Sequence, residues 1–90
     1  MGEYGYENTP KEVMIILSKR IVALRKQLKM TQKELSERSG VAYASVRKFE
    51  TTGIISLESL LKICETLGRL QEFESILLPD ELERMKKLFD

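Results

Sequence analysis

Apolar residues recur along this 90-residue chain at helical intervals. Leu17, Ile21, Leu24 and Leu28 stand four, three and four positions apart, which lines one face of a 3.6-residue helix. Upstream, Thr9-Pro10-Lys11-Glu12 sets a hydroxyl at the N-cap, proline at the first helical position and glutamate at the third, an arrangement that satisfies orphan backbone N–H groups. A long first helix is expected. Thr31-Gln32-Lys33-Glu34 repeats the capping box, and Gly40 supplies a residue able to end a helix in the left-handed conformation. The second helix is therefore short, about Gln32 to Ser39. A third stretch, Tyr43 to Thr51, carries Val46 and Phe49 and is closed by Gly53. Ser56 caps a fourth, whose face reads Leu57, Leu60, Leu61, Cys64 and Leu67, ending at Gly68. A fifth runs from Leu70 to Leu77 before Pro79, and a last amphipathic helix opens at Asp80 and bears Leu82, Met85, Leu88 and Phe89.

No stretch alternates with period two for more than a few residues. Ile54 and Ile55, between Gly53 and Ser56, read as a loop anchor dipping into the core. The expected fold is all-α, a compact bundle of five or six helices, with no internal repeat or low-complexity segment. Its length supports one core, since a chain of this size buries roughly 60 to 65% of its unfolded surface.

Composition narrows the chemistry. The chain has no histidine and one cysteine, Cys64, which excludes a Cys/His zinc site, a histidine-based catalytic triad and an internal disulfide. No metal or cofactor is expected. The longest apolar run, Val13 to Leu17, is far short of a bilayer span, and the stretch Met1 to Asn8 lacks the basic and apolar regions of a signal peptide. A cytoplasmic protein without a membrane partner is expected. Ser45 has no general base within the sequence, the carboxylates sit singly, and no glycine-rich phosphate loop appears, so the chain does not read as an enzyme.

The second and third helices, joined by about three residues around Gly40, have the dimensions of a DNA-binding helix-turn-helix. Short antiparallel helices occur in many bundles, so spacing alone does not single out DNA. The side chains add specificity. A Thr31-Gln32-x-Glu34-Leu35 opening, a Gly40-Val41 turn, the Val46-x-x-Phe49-Glu50 end of the third helix and the Ser56-Leu57-x-x-Leu60 start of the fourth closely resemble the Cro and phage-repressor type, or Xre-like, helix-turn-helix family over about residues 17 to 68. The resemblance implies a lambda-repressor-like domain that binds double-stranded DNA.

It also implies roles. Val41, Val46 and Phe49 would pack against Leu24, Leu28, Leu35, Leu60 and Leu61, fixing how the third helix projects. Thr31, Gln32 and Lys33, at the start of the second helix, would meet phosphates together with Ser45. Tyr43, Ala44, Arg47 and Lys48 would face the bases: Arg47 or Lys48 toward guanine O6 and N7, Ala44 and the Tyr43 ring toward a thymine methyl. Tyr43 equally suits a phosphate through its hydroxyl, and the family often has polar residues such as Gln, Ser or Arg at the positions of Tyr43 and Ala44.

Charge location bears on this reading. The net charge is only +1, yet residues 11–53 carry ten basic and four acidic side chains, net +6, while residues 54–90 carry five basic and eight acidic, net −3, and residues 1–10 contribute −2. The basic residues coincide with the helix-turn-helix. The plain alternative is that Arg25, Lys26, Lys29 and Lys33 form a solvated face. Glu50 reads as structural, pairing with Arg20 or Arg25. Cys64 reads as a buried, inert thiol in an apolar stripe, and Met14, Met30 and Met85 as packing.

Residues 1–10 are expected as a flexible segment, 11–68 as the DNA-binding domain, and 69–90 as a helical extension for dimerisation or partner binding. Val13 to Ile16 are four consecutive apolar residues that one helix face cannot bury, and the extension adds Phe73, Leu77, Leu82, Met85 and Phe89. These either complete a monomer core or leave a patch for a second subunit. A two-fold dimer would read a palindrome with half-sites about one helical turn apart. The stretch Leu67 to Pro79 resembles the tail of small Xre-like antitoxins, which implies an autorepressing regulator with a toxin partner. A stand-alone phage-type repressor and a protein-interaction adaptor that does not bind DNA are the competing readings.

Overall fold

The computed structural model describes residues 8–80. Four α-helices follow one another: α1 (Pro10–Gln27), α2 (Gln32–Ser39), α3 (Tyr43–Thr52) and α4 (Leu57–Thr66), with a five-residue 3₁₀ helix at Leu70–Glu74. No strand occurs among the described residues, so the all-α class holds.

Local sequence explains where three of the helices begin. Thr9 and Glu12 exchange side-chain and backbone hydrogen bonds at 2.8 and 3.2 Å, and Thr31 and Glu34 do the same at 2.9 and 3.0 Å, completing both capping boxes. Ser56 accepts from the Ser59 N–H at 3.1 Å. Gly40 and Gly53 end α2 and α3 in the left-handed region, at φ 76° and 81°.

The two glycines differ in their surroundings. A Cβ at Gly40 would meet nothing within 4 Å, whereas one at Gly53 would lie 2.9 Å from the Met14 carbonyl carbon and 3.1 Å from the Ile15 nitrogen. Gly53 thus does two things: it turns the chain, and it lets α3 end against the backbone of α1.

The core is Ile21, Leu35, Val41, Val46, Phe49, Leu60, Ile63, Cys64 and Leu67, with Leu24, Met30, Ile55 and Phe73 packed on it. Phe49, Leu35, Ile63 and Val46 are the largest wholly buried side chains. They sit where α2, α3 and α4 meet, fixing α3 by burial on its inner side.

Several expectations from periodicity need correction. Leu28 belongs to the C-cap of α1, where the chain turns away at the left-handed Lys29, and it is half exposed. Leu57, at the first position of α4, is 65% exposed, while the wholly buried residue of that helix is Ile63, absent from the expected stripe. Leu61 is only half-buried. Of the loop pair, Ile55 reaches the core and Ile54 stays exposed.

The helix count also changes. The expected fifth helix, Leu70 to Leu77, is the single 3₁₀ stretch Leu70–Glu74, and Leu77 beyond it is left-handed at φ 58°. The ten residues between Gly68 and Pro79 would be long enough for nearly three turns, but Phe73 is the one hydrophobic among them packed on the core, too little burial to repay helix nucleation. The expected last helix, with Leu82, Met85 and Phe89, lies outside the described residues.

Candidate nucleic-acid interface

A buried ion pair aligns the three N-terminal helices. Arg25, near the end of α1, donates from Nε and Nη2 to the Glu50 carboxylate at 2.7 and 2.9 Å, and from Nη1 to the Met30 carbonyl at 2.7 Å. Gln32, the first residue of α2, donates from Nε2 to Glu50 Oε1 at 2.8 Å. The side chains of Arg25 and Glu50 are 10% and 5% exposed. One carboxylate on α3 therefore collects donors from α1 and α2. Bidentate Arg–carboxylate geometry is directional, so this cluster sets angles between helices as well as distances.

The turn is fastened separately. Ser36 Oγ donates to the Val41 carbonyl at 2.7 Å, and the Val41 N–H donates to Ser39 Oγ at 3.2 Å. With Val41 buried beneath, α2 and α3 are joined as one unit.

On that unit the outward side chains form two groups. At the start of α2, Thr31 and Lys33 are exposed, but the capping box occupies the Thr31 N–H and the Glu34 N–H. This leaves the backbone N–H groups of Gln32 and Lys33 at the positive end of the helix dipole. Glu34 stays ionised to lower pH than usual, because the Thr31 backbone N–H and then its hydroxyl bond the carboxylate, with Arg38 adding attraction. Gln32 has one of its two amide hydrogens committed to Glu50, so only the other remains free for a phosphate.

On α3, Tyr43, Ala44, Ser45, Arg47 and Lys48 are all exposed, while Val46 and Phe49 face inward. The N-cap of α3 is Ala42, which makes no side-chain cap. The Ser45 N–H turns back to the Ala42 carbonyl at 2.9 Å, which leaves the Tyr43 and Ala44 N–H groups without a side-chain cap. The Arg47 guanidinium lies over the Tyr43 ring, 5.7 Å from the centroid. The helix thus presents a cationic strip and turns Glu50, its one acidic residue, to the interior.

A helix-turn-helix family model matches residues 21–73, more than half of the sequence and the whole of this unit. The chain belongs to the Cro/C1-type helix-turn-helix family. No curated protein and no solved structure gives a significant match. Membership of this family points to a DNA-binding transcription regulator.

All eight residues expected to meet DNA lie on the α2–α3 unit of this helix-turn-helix protein: Tyr43, Ala44, Arg47 and Lys48 on the outer strip of α3, Ser45 beside them, and Thr31, Gln32 and Lys33 at the start of α2. Arg25 did not fit the expected solvated face: it is buried. Its role was half visible in the sequence, since Glu50 pointed to an arginine on α1. Gln32 as a third member was not, because side-chain reach across α1, α2 and α3 leaves no local pattern.

The remaining expected interface residues divide. Phe73 is half-buried on the core and lines a small cleft of about 130 Å³ with Leu17, Leu24, Leu60 and Cys64. Leu77 is 95% exposed. Cys64 is buried, and desolvation, then the Glu72 carboxylate, raise its thiol pKa. No group of three potential metal ligands occurs among the described residues, and no helix among them is long and apolar enough to cross a membrane.

Proposed function

We propose that this helix-turn-helix protein is a dimeric repressor that lays α3 in the major groove of a palindromic operator. The observation that carries this reading is the outer strip of α3. Five consecutive-turn residues, Tyr43, Ala44, Ser45, Arg47 and Lys48, are exposed, two of them cationic, and the helix's one carboxylate is neutralised inside. Lys33, Thr31, Gln32 and Ser45 anchor phosphates and set register, while Arg47 and Lys48 read guanine and Ala44 a thymine methyl.

Selection of duplexes from a random pool tests this directly. A recovered palindrome with half-sites about one helical turn apart is expected. Lys33→Ala should weaken all duplexes alike and reduce the salt slope by about one, whereas Arg47→Ala should relax preference at particular base pairs. Equal losses on specific and random DNA from both substitutions would contradict the division of roles.

The second subunit is suggested by apolar surface. Ile76, Leu77 and Leu78 are all more than half exposed, an unusual run of three for a monomer, and the sequence continues with Leu82, Met85 and Phe89. Leu77→Ser should shift sedimentation toward a smaller species while leaving helix content unchanged, and should remove the concentration dependence of the melting temperature. The same exposed run favours, as a second reading, an autorepressing antitoxin whose toxin covers it; recovery of a toxin bound to the protein in native cells distinguishes the two. Failure to retard any duplex at low salt would instead favour an adaptor.

A further inference from the structure

Arg47 and Lys48 are adjacent cations on one face, but only Arg47 is held. Its guanidinium stands over the Tyr43 ring one turn back, at 5.7 Å. The ion pairs among the described residues are Arg25–Glu50, Lys62–Glu58 and Arg69–Glu72, so no described carboxylate takes the Arg47 fork. A cation–ring contact at this distance restrains the arginine lightly and consumes none of its N–H donors. A planar fork with a free edge matches the paired acceptors O6 and N7 of guanine.

The neighbouring surface has a different chemistry. Ala44 lies three positions before Arg47 and four before Lys48, hence on the same strip. A shallow hollow of about 330 Å³ is bounded there by Ala44, Arg47, Lys48, Thr51 and Thr52. The Thr51 and Thr52 hydroxyls donate to the Arg47 and Lys48 carbonyls at 2.9 and 2.7 Å, so their protons are committed within the helix. Beside the Arg47 fork, the hollow therefore offers the Ala44 methyl group with neither threonine hydroxyl free to donate, and Lys48 lines its other side. In the major groove the complementary feature is the C5 methyl of a pyrimidine.

We propose that Tyr43, Ala44 and Arg47 form one reading unit for a guanine next to a 5-methylpyrimidine, with Tyr43 positioning Arg47 and Ala44 receiving the methyl group. This rests on the DNA-reading function proposed above. Thymine and 5-methylcytosine share the recognised group.

The test uses the full chain and a duplex recovered by selection. At the pyrimidine beside the guanine, thymine is compared with uracil, and 5-methylcytosine with cytosine. In each pair the methylated base should bind about four-fold tighter, the worth of one buried methyl. Tighter binding of the thymine duplex than of the 5-methylcytosine duplex identifies thymine as the natural partner, and the reverse identifies methylated cytosine.

Tyr43 is half exposed, so its replacement removes no core packing. Tyr43→Phe should keep the guanine preference, and Tyr43→Ala should lose about two- to five-fold of it, the range for an exposed cation–ring contact. In an Arg47→Ala background, Tyr43→Ala should change nothing further. Equal binding of methylated and unmethylated bases overturns the unit, as does a loss from Tyr43→Phe equal to that from Tyr43→Ala, which would mark a phosphate contact by the hydroxyl. A recovered palindrome without such a step overturns the unit and leaves the repressor function standing; recovery of no duplex overturns both.

Discussion

The α2–α3 unit and the cleft between α1 and α4 are held by different means. In the first, bonds with direction do the work: the Arg25–Glu50–Gln32 cluster and the serine bonds around Val41 set the angle of α3. In the second, Leu17, Leu24, Leu60 and Phe73 meet mainly through apolar contact, the Arg69–Glu72 pair completes the lining, and Leu57 remains exposed at a neighbouring hollow that shares Leu17 and Leu60. Apolar packing brings elements together and favours a small set of crossing angles, and directional bonds narrow that choice further. A surface that must register with base edges needs the angle fixed, whereas a surface that meets an apolar partner does not. The fold has used its buried charge where orientation matters.

The sharpest way to break this contrast is at Glu50. Glu50→Ala strands Arg25 inside the protein and should cost about 3–5 kcal/mol in urea unfolding. Arg25→Met combined with Glu50→Leu should recover much of that stability without recovering DNA affinity. Full recovery of both would mean that the cluster supplies stability but no orientation.

Gly53→Ala comes next. It combines a left-handed backbone with a Cβ driven against the Met14 backbone, and should cost about 2–4 kcal/mol. Gly40→Ala meets open space and should cost only about 1–2 kcal/mol by the same measurement. Equal costs would show that α1 yields at the close approach.

Arg47→Ala separates reading from folding. It should lower specific DNA affinity by about 1–3 kcal/mol in titrations, while melting stability stays within about 0.5 kcal/mol. A comparable loss of stability would place Arg47 in the scaffold rather than on the surface.

The smallest effect concerns pH. Glu34 has a lowered folded-state pKa, so its contribution to stability is present above the ordinary glutamate value of 4.5 and fades as pH falls through the lower folded value. Glu34→Gln should flatten that part of the melting curve against pH, since glutamine can retain the capping-box bond but does not titrate.

What could be read from the sequence followed the range of the interaction. Thr9, Thr31 and Ser56 act within three residues, and the helix starts they predict are the ones observed. The basic, outward strip of α3 was equally legible, because the motif around Gly40 carries its register. Tertiary facts were harder. Leu57 fits the apolar stripe of α4 and Ile63 lies off it, and only the direction from which α2 approaches decides that Ile63 is the one buried. The sequence offers Arg20 and Arg25 alike as partners for Glu50, but which of them is buried against a carboxylate 25 positions away, and that Gln32 joins the pair, has no local signature. The stretch after Gly68 had apolar spacing suited to a helix, but too few partners to sustain one.

The chain's one cysteine lies beneath Phe73, where burial leaves little thiolate for attack. Cys64 is therefore a native clock. A thiol reagent should modify it faster when the 3₁₀ segment lifts from α4, so labelling rates would report that opening in unaltered protein. Any partner that clamps the segment would slow the clock, and one that pries it away would speed it.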